Sequence, residues 1–238
     1  MESIYIIFVL IGFVSALISA VFGFGTALIF LAAGSWLLPI KEVIALSTVL
    51  FLASTLMKSL VFGRHVDWKL AGLMSIASFP FAYLGALGLN NVPAEALTRG
   101  LGGMVLLVLV VRWFDILPRF QIATRGLVAG SAAYGFVSGL LGTGNIVKAL
   151  IFREMNITKE AFVGAMAATS VLTNVAKLHS YHGSGLLDLQ LIWPMTGLVC
   201  AAIAAVLVGR YVLSGVSVKQ FEFGLEVILV ISALGLIF

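Results

Sequence analysis

Apolar runs dictate what this chain can become. Residues 4–21, 43–61, 70–89, 101–114, 126–141, 161–178, 189–207 and 221–238 form eight of them, most near the roughly 20 residues a tilted helix needs to cross hydrocarbon. Backbone inside a bilayer must satisfy its own hydrogen bonds, so runs of this kind read as helices. Only 10% of the residues are charged and 61% are hydrophobic, whereas soluble domains carry about a quarter charged. The expected fold is therefore all-α, a polytopic helical bundle in the cell inner (plasma) membrane.

Two glycine-broken motifs divide the chain. Val-Phe-Gly-Phe-Gly-Thr at 21–26 recurs as Leu-Leu-Gly-Thr-Gly-Asn at 140–145, and the same offset of 119 relates Lys58 to Lys177. Shorter apolar tails, 27–38 and 146–152, follow the two breaks. The pattern predicts two homologous membrane repeats, 1–120 and 121–238, joined by the polar, proline-marked stretch 112–121. Internal identity is low, so the duplication rests on the placement of special residues.

Loop charges bear on topology. If all eight runs cross, the basic residues divide evenly between the two sides. If each Gly-x-Gly is the tip of a re-entrant hairpin, Lys41 and Arg99 stand opposite Arg64, Lys69, Arg112, Arg119, Arg125, Arg153, Lys159, Arg210 and Lys219. The second arrangement obeys the positive-inside tendency and makes the halves inverted repeats. Against it, 4–21 is long enough to cross alone. Met1-Glu2-Ser3 lacks a basic n-region, so the first helix is expected to be retained.

Interrupted spans in corresponding positions of two halves point to a transporter binding site. Gly23 and Gly25 flank Phe24, and Gly142 and Gly144 flank Thr143. Gly25 and Gly144 are expected to permit positive φ and close approach of backbone to a ligand. Helices resuming at Thr26 and Asn145 would aim N–H groups at the breaks, which suits an anion. Glycine-mediated helix packing is the ordinary alternative. Lys58 and Lys177 close long apolar runs, and intramembrane lysines usually face a cavity or a partner, with snorkelling to the interface as the alternative. Lys148 has Ile29 at the matching place and is a candidate third anion contact. Thr55 and Asn174 each precede their lysine by three and share its helical face, and Ser47, Thr48, Ser54, Thr169, Ser170 and Thr173 supply further neutral donors.

Other polar residues carry less. His179 and His182 lack a third ligand, so neither a metal site nor a cofactor is expected. Glu222 and Glu226 share a face of the last helix. Cys200 reads as a small packing residue. No basic stripe suggests nucleic acid, and no nucleophile with a positioned base suggests an enzyme.

The two glycine motifs, the lysine-terminated second helices and Ala-Thr-Ser-Val-Leu-Thr-Asn-Val-Ala-Lys at 168–177 together resemble the TauE/SafE family of sulfite and organosulfonate exporters. After its first break this chain has Thr26-Ala-Leu, where family members often carry a longer glycine run and a proline. The resemblance implies a secondary transporter exporting small sulfur-containing anions by alternating access. A site of Gly23, Phe24, Gly25, Thr26, Thr55, Lys58, Gly142, Thr143, Gly144, Asn145, Lys148, Asn174 and Lys177 would bind the anion. A homo-oligomer is possible. A passive anion channel would use the same residues, and a membrane scaffold would need none of them.

Overall fold

The computed structural model describes residues 2–23, 26–113, 124–153, 158–188, 191–217, 220, 223 and 227. Among these every regular element is helical: α1 (Glu2–Phe22), α2 (Thr26–Gly34), α3 (Ile40–Phe62), α4 (Trp68–Gly88), α5 (Ala94–Trp113), α6 (Thr124–Leu141), α7 (Asn145–Arg153), α8 (Lys159–Ala168), α9 (Val171–Gly183) and α10 (Ile192–Gly215). Among the described residues five stretches are long and apolar enough to cross a membrane: Ile4–Phe22, Ile40–His65, Trp68–Asn91, Lys159–Gly183 and Ile192–Gly215. At 1.5 Å per residue, the 23 residues of α3 reach about 35 Å, enough to traverse the core.

Hydrogen bonds between loops define two ends of the bundle. At one, Lys41 Nζ donates to the Asn90 carbonyl at 2.9 Å and Asn90 Nδ2 donates to the Ser184 carbonyl at 3.2 Å. At the other, Lys159 Nζ donates to the Leu213 and Val216 carbonyls at 2.9 and 2.7 Å, while Gly164 packs against Phe62 and Val66. Helix α1 starts near the Lys41 end, because Gly34 lies against both Phe8 of α1 and Val43 of α3. Helix α2 therefore returns toward the end at which α1 began, with the Phe30 ring tilted against Phe8 at 4.6 Å between centres.

Small residues set the helix pairs. Helices α4 and α6 run parallel with backbones nearly touching: Gly85 meets the Phe136 carbonyl, Gly135 that of Ser78 and Gly139 that of Ala82. Such approach is how membrane helices gain packing energy without a hydrophobic driving force. Helix α10 runs parallel to α1 in a similar way, through Gly12 on Leu198, Gly197 on Val9 and Gly209 on Ala20. Outward faces carry the apolar side chains a bilayer would cover, among them Ile6, Leu60 and Ile76. Exposed Trp36 and Trp193 stand toward the Lys41 end and Trp68 and Tyr211 toward the other, as in interfacial aromatic belts.

Two expectations are corrected. The run 161–178 is not one helix: α8 stops at Ala168 and α9 starts at Val171. Thr169 and Ser170 turn their hydroxyls back onto the Ala165 and Met166 carbonyls at 2.7 and 2.8 Å, a local bonding that competes with the helical ladder. Cys200 is not a packing residue but is exposed on α10. Of the minor polar residues, Asp67 caps α4 by accepting from the Lys69 and Leu70 amides at 3.0 Å. His179 stacks on Tyr83 and His182 Nδ1 faces the Leu187 carbonyl. The last apolar run, with Glu222 and Glu226, lies outside the described residues apart from isolated positions.

Candidate functional site

Both glycine breaks border one small cavity of about 30 Å³, room for about two water molecules. Helix α1 ends at Phe22 and α2 begins at Thr26; α6 ends at Leu141 and α7 begins at Asn145. The chain turns at Gly23 and Gly142, with φ of +83° and +79°, a conformation cheap only for glycine. Gly144 does not have positive φ among the described glycines. Its requirement is space, since a Cβ there would sit 2.7 Å from the Tyr134 carbonyl oxygen. The first glycine of each motif is left-handed, because the turn follows directly on the end of α1 or α6.

The two breaks pack alike on the opposite half. Gly23 lies against Val163 and Gly142 against Ile44, and these four residues are related by the offset of 119. The same offset separates Thr55 and Asn174, which meet directly as Asn174 Nδ2 donates to Thr55 Oγ1 at 3.3 Å. Helices α3 and α9 therefore touch at matching positions, beside the cavity.

Of the residues singled out in the sequence, Gly23, Thr26, Thr55, Lys58, Gly142, Thr143, Asn145, Asn174 and Lys177 line the cavity. Gly144 and Lys148 do not line it, and Phe24 and Gly25 lie outside the described residues. The lysines do not snorkel. Lys58 and Lys177 are 4% and 1% exposed. Lys58 Nζ donates to Ser19 Oγ at 2.9 Å; Lys177 Nζ donates to the Gly142 carbonyl at 3.0 Å and lies 5.4 Å from the centre of the Phe51 ring. An ammonium has three donors, so each keeps protons that no described protein acceptor takes. Among the described residues no carboxylate lines the cavity, and their salt bridges join exposed or half-buried pairs elsewhere.

Two hydroxyls add to this surplus of donors. Ser54 Oγ and Thr143 Oγ1 line the cavity, are buried and have no hydrogen-bond partner among the described residues. Buried polar groups are nearly always paired, so orphan donors beside unspent ammoniums mark a place for acceptor oxygens. Sequence reasoning missed Ser19, Tyr134 and Ser138 and named Ser54 and Ser170 only as further donors, although all five line the cavity. One signal was available for Ser19 and Ser138, which are the same residue type at the repeat offset.

A family model described as Sulfite exporter TauE/SafE matches residues 8–236. No curated protein and no solved structure matches the chain.

Proposed function

The chain belongs to the TauE/SafE sulfite exporter family, and from this we propose that it is a secondary transporter exporting a small sulfur-containing anion, sulfite or an organosulfonate, across the plasma membrane. One observation carries the reading: Lys58 and Lys177 are buried in a shared cavity that, among the described residues, no carboxylate lines, and each has protons that no described acceptor takes. A buried unpaired charge is expensive in a membrane and marks a substrate path. Anion oxygens would complete both ammoniums and accept from Ser54 and Thr143.

Residues 1–120 and 121–238 act in this reading as inverted repeats, each opening with a re-entrant hairpin. Support comes from the return of α2 toward the start of α1 and from the paired contacts of Gly23 with Val163 and Gly142 with Ile44. Rocking of one repeat against the other would expose the site alternately to the two faces. The Thr55–Asn174 contact lies where such repeats would pivot.

Purified protein in proteoliposomes tests this. Sulfite flux is expected to saturate and to show counterflow, with Lys58→Ala and Lys177→Ala each weakening sulfite binding at least about tenfold, while Lys41→Ala on the exposed rim changes it little. Conductance far above carrier turnover would instead establish a passive channel. Equal, negligible effects of the three substitutions, or no binding of sulfite, thiosulfate, sulfate or a sulfonate, would remove the reading.

A further inference from the structure

Lys148 stands where the first half has Ile29, and its surroundings change in the same sense: Thr169 replaces Leu50, Ser170 replaces Phe51 and Tyr134 replaces Ser15. The helix facing these positions is continuous in the first half, as α3, and interrupted in the second, between α8 and α9. Cation and interruption coincide.

Backbone bonding at the interruption explains why. The Thr169 amide donates to the Ala165 carbonyl at 3.1 Å and the Ser170 amide to the Ala167 carbonyl at 2.9 Å, so among the described residues no backbone N–H reaches the Met166 carbonyl. Inside a bilayer such a carbonyl must find another donor. Lys148 Nζ donates to it at 2.8 Å, as does Ser170 Oγ at 2.8 Å. The other two ammonium protons go to Thr169 Oγ1 at 3.1 Å and to Ser170 Oγ. The Tyr134 ring centre lies 4.4 Å from the ammonium, and its hydroxyl donates to Ser170 at 3.2 Å. Lys148 is 0% exposed, all three of its protons are engaged, and it stands one residue behind the cavity wall that Ser170 forms.

We propose that Lys148 is a positioning residue, which replaces the helical hydrogen bond missing between α8 and α9 and so fixes Ser170, Asn174 and Lys177 at the cavity. The proposal rests on the reading of that cavity as an anion site. It assigns the halves unequal parts, a straight wall with an apolar backing from α3 and a bent wall braced by a cation from α8 and α9. Lys148 could touch an anion only by giving up one of its three bonds.

Sulfite binding to the purified full chain distinguishes bracing from direct contact. Lys148→Met, which has no donor, is expected to weaken binding about tenfold or more, and Lys148→Gln, a neutral donor, to recover most of that loss. Equal losses would mean that the charge acts on the anion itself, and wild-type affinity in Lys148→Met would mean that the brace is not needed; either overturns the proposal. Should Lys148→Met fail to purify folded, Thr169→Val removes one acceptor without touching the cavity lining and is expected to weaken binding several-fold, an unchanged affinity again overturning it. Amide hydrogen exchange over residues 166–174 reads the brace without any ligand. Exchange should quicken in both variants, and unchanged exchange overturns the proposal even if no anion binds and the transport reading itself has failed.

Discussion

Gly142 combines two constraints that an added methyl group would violate together. Its φ of +79° disfavours any side chain, and its carbonyl accepts from Lys177. Gly142→Ala is expected to cost about 1–3 kcal/mol in stability and also to weaken sulfite binding, because Lys177 loses its fixed acceptor. Gly144→Ala should lower stability through crowding of Tyr134 by about 1–3 kcal/mol, whereas Gly103, with open space around its Cβ position, should accept alanine without loss. Thermal unfolding in detergent paired with sulfite binding checks all three; a Gly142→Ala protein as stable and as sulfite-competent as Gly103→Ala would discard the turn assignment. The two motifs and the lysine pair were legible as residues because glycine pairs and lysines at one offset in matching apolar runs stand out against their apolar surroundings. Which glycine turns was not legible, since the Gly-x-Gly spacing leaves open whether the helix ends before the first or the second. Ser19 and Tyr134 were hidden for a different reason: serine and tyrosine are common in membrane helices, and only packing decides which face they take.

Among the elements, α10 shows how an end is secured at a distance. Its last carbonyls would face the membrane edge unpaired, and Lys159 from the start of α8 donates to those of Leu213 and Val216. Lys159→Met should therefore lower the stability of the folded protein by roughly 1–2 kcal/mol. A thermal midpoint no lower than that of Lys69→Met, whose amide rather than side chain takes part in the α4 cap, would show that the cation is dispensable. Helix positions followed from hydropathy because burial and length select the same residues, and the short helices α2 and α7 begin at Thr26 and Asn145 as the glycines require. The break at Thr169–Ser170 escaped that logic. Ala-Ala-Thr-Ser-Val-Leu is compatible with an uninterrupted helix, and what stabilises the interruption is Lys148, 18 to 22 residues away. Non-local satisfaction of a carbonyl leaves no periodic trace in the sequence.

For the whole molecule the decisive quantity is which loops share a face. Lys41, Asn90 and Ser184 are tied together at one end, and Gly63–His65, Lys159 and Val216 gather at the other. Arg64, Lys69 and Arg210 belong with the second group by their place on α3, α4 and α10, and parallel packing of α4 with α6 brings Arg125 to it as well. Lys41 and Arg99 fall at the first end. Basic loops tend to be retained in the cytoplasm, so the Arg64 end is expected to be the cytoplasmic one and the Lys41 end to face outward. In a Cys200→Ser background, single cysteines at Asn91 and Ser184 are therefore expected to react with a membrane-impermeant maleimide added to intact cells, and cysteines at His65 and Thr158 only after permeabilisation. The arrangement depends on α1 and α2 returning the chain to the face it entered, for a single net crossing by the pair would put residues 41 and 5 on opposite sides. Labelling of position 65 from outside together with 91 from inside would merely invert the protein. Labelling of 65 and 158 from different sides would break the shared end itself, and with it the proposed paired hairpins and the proposed alternating exposure of Lys58 and Lys177.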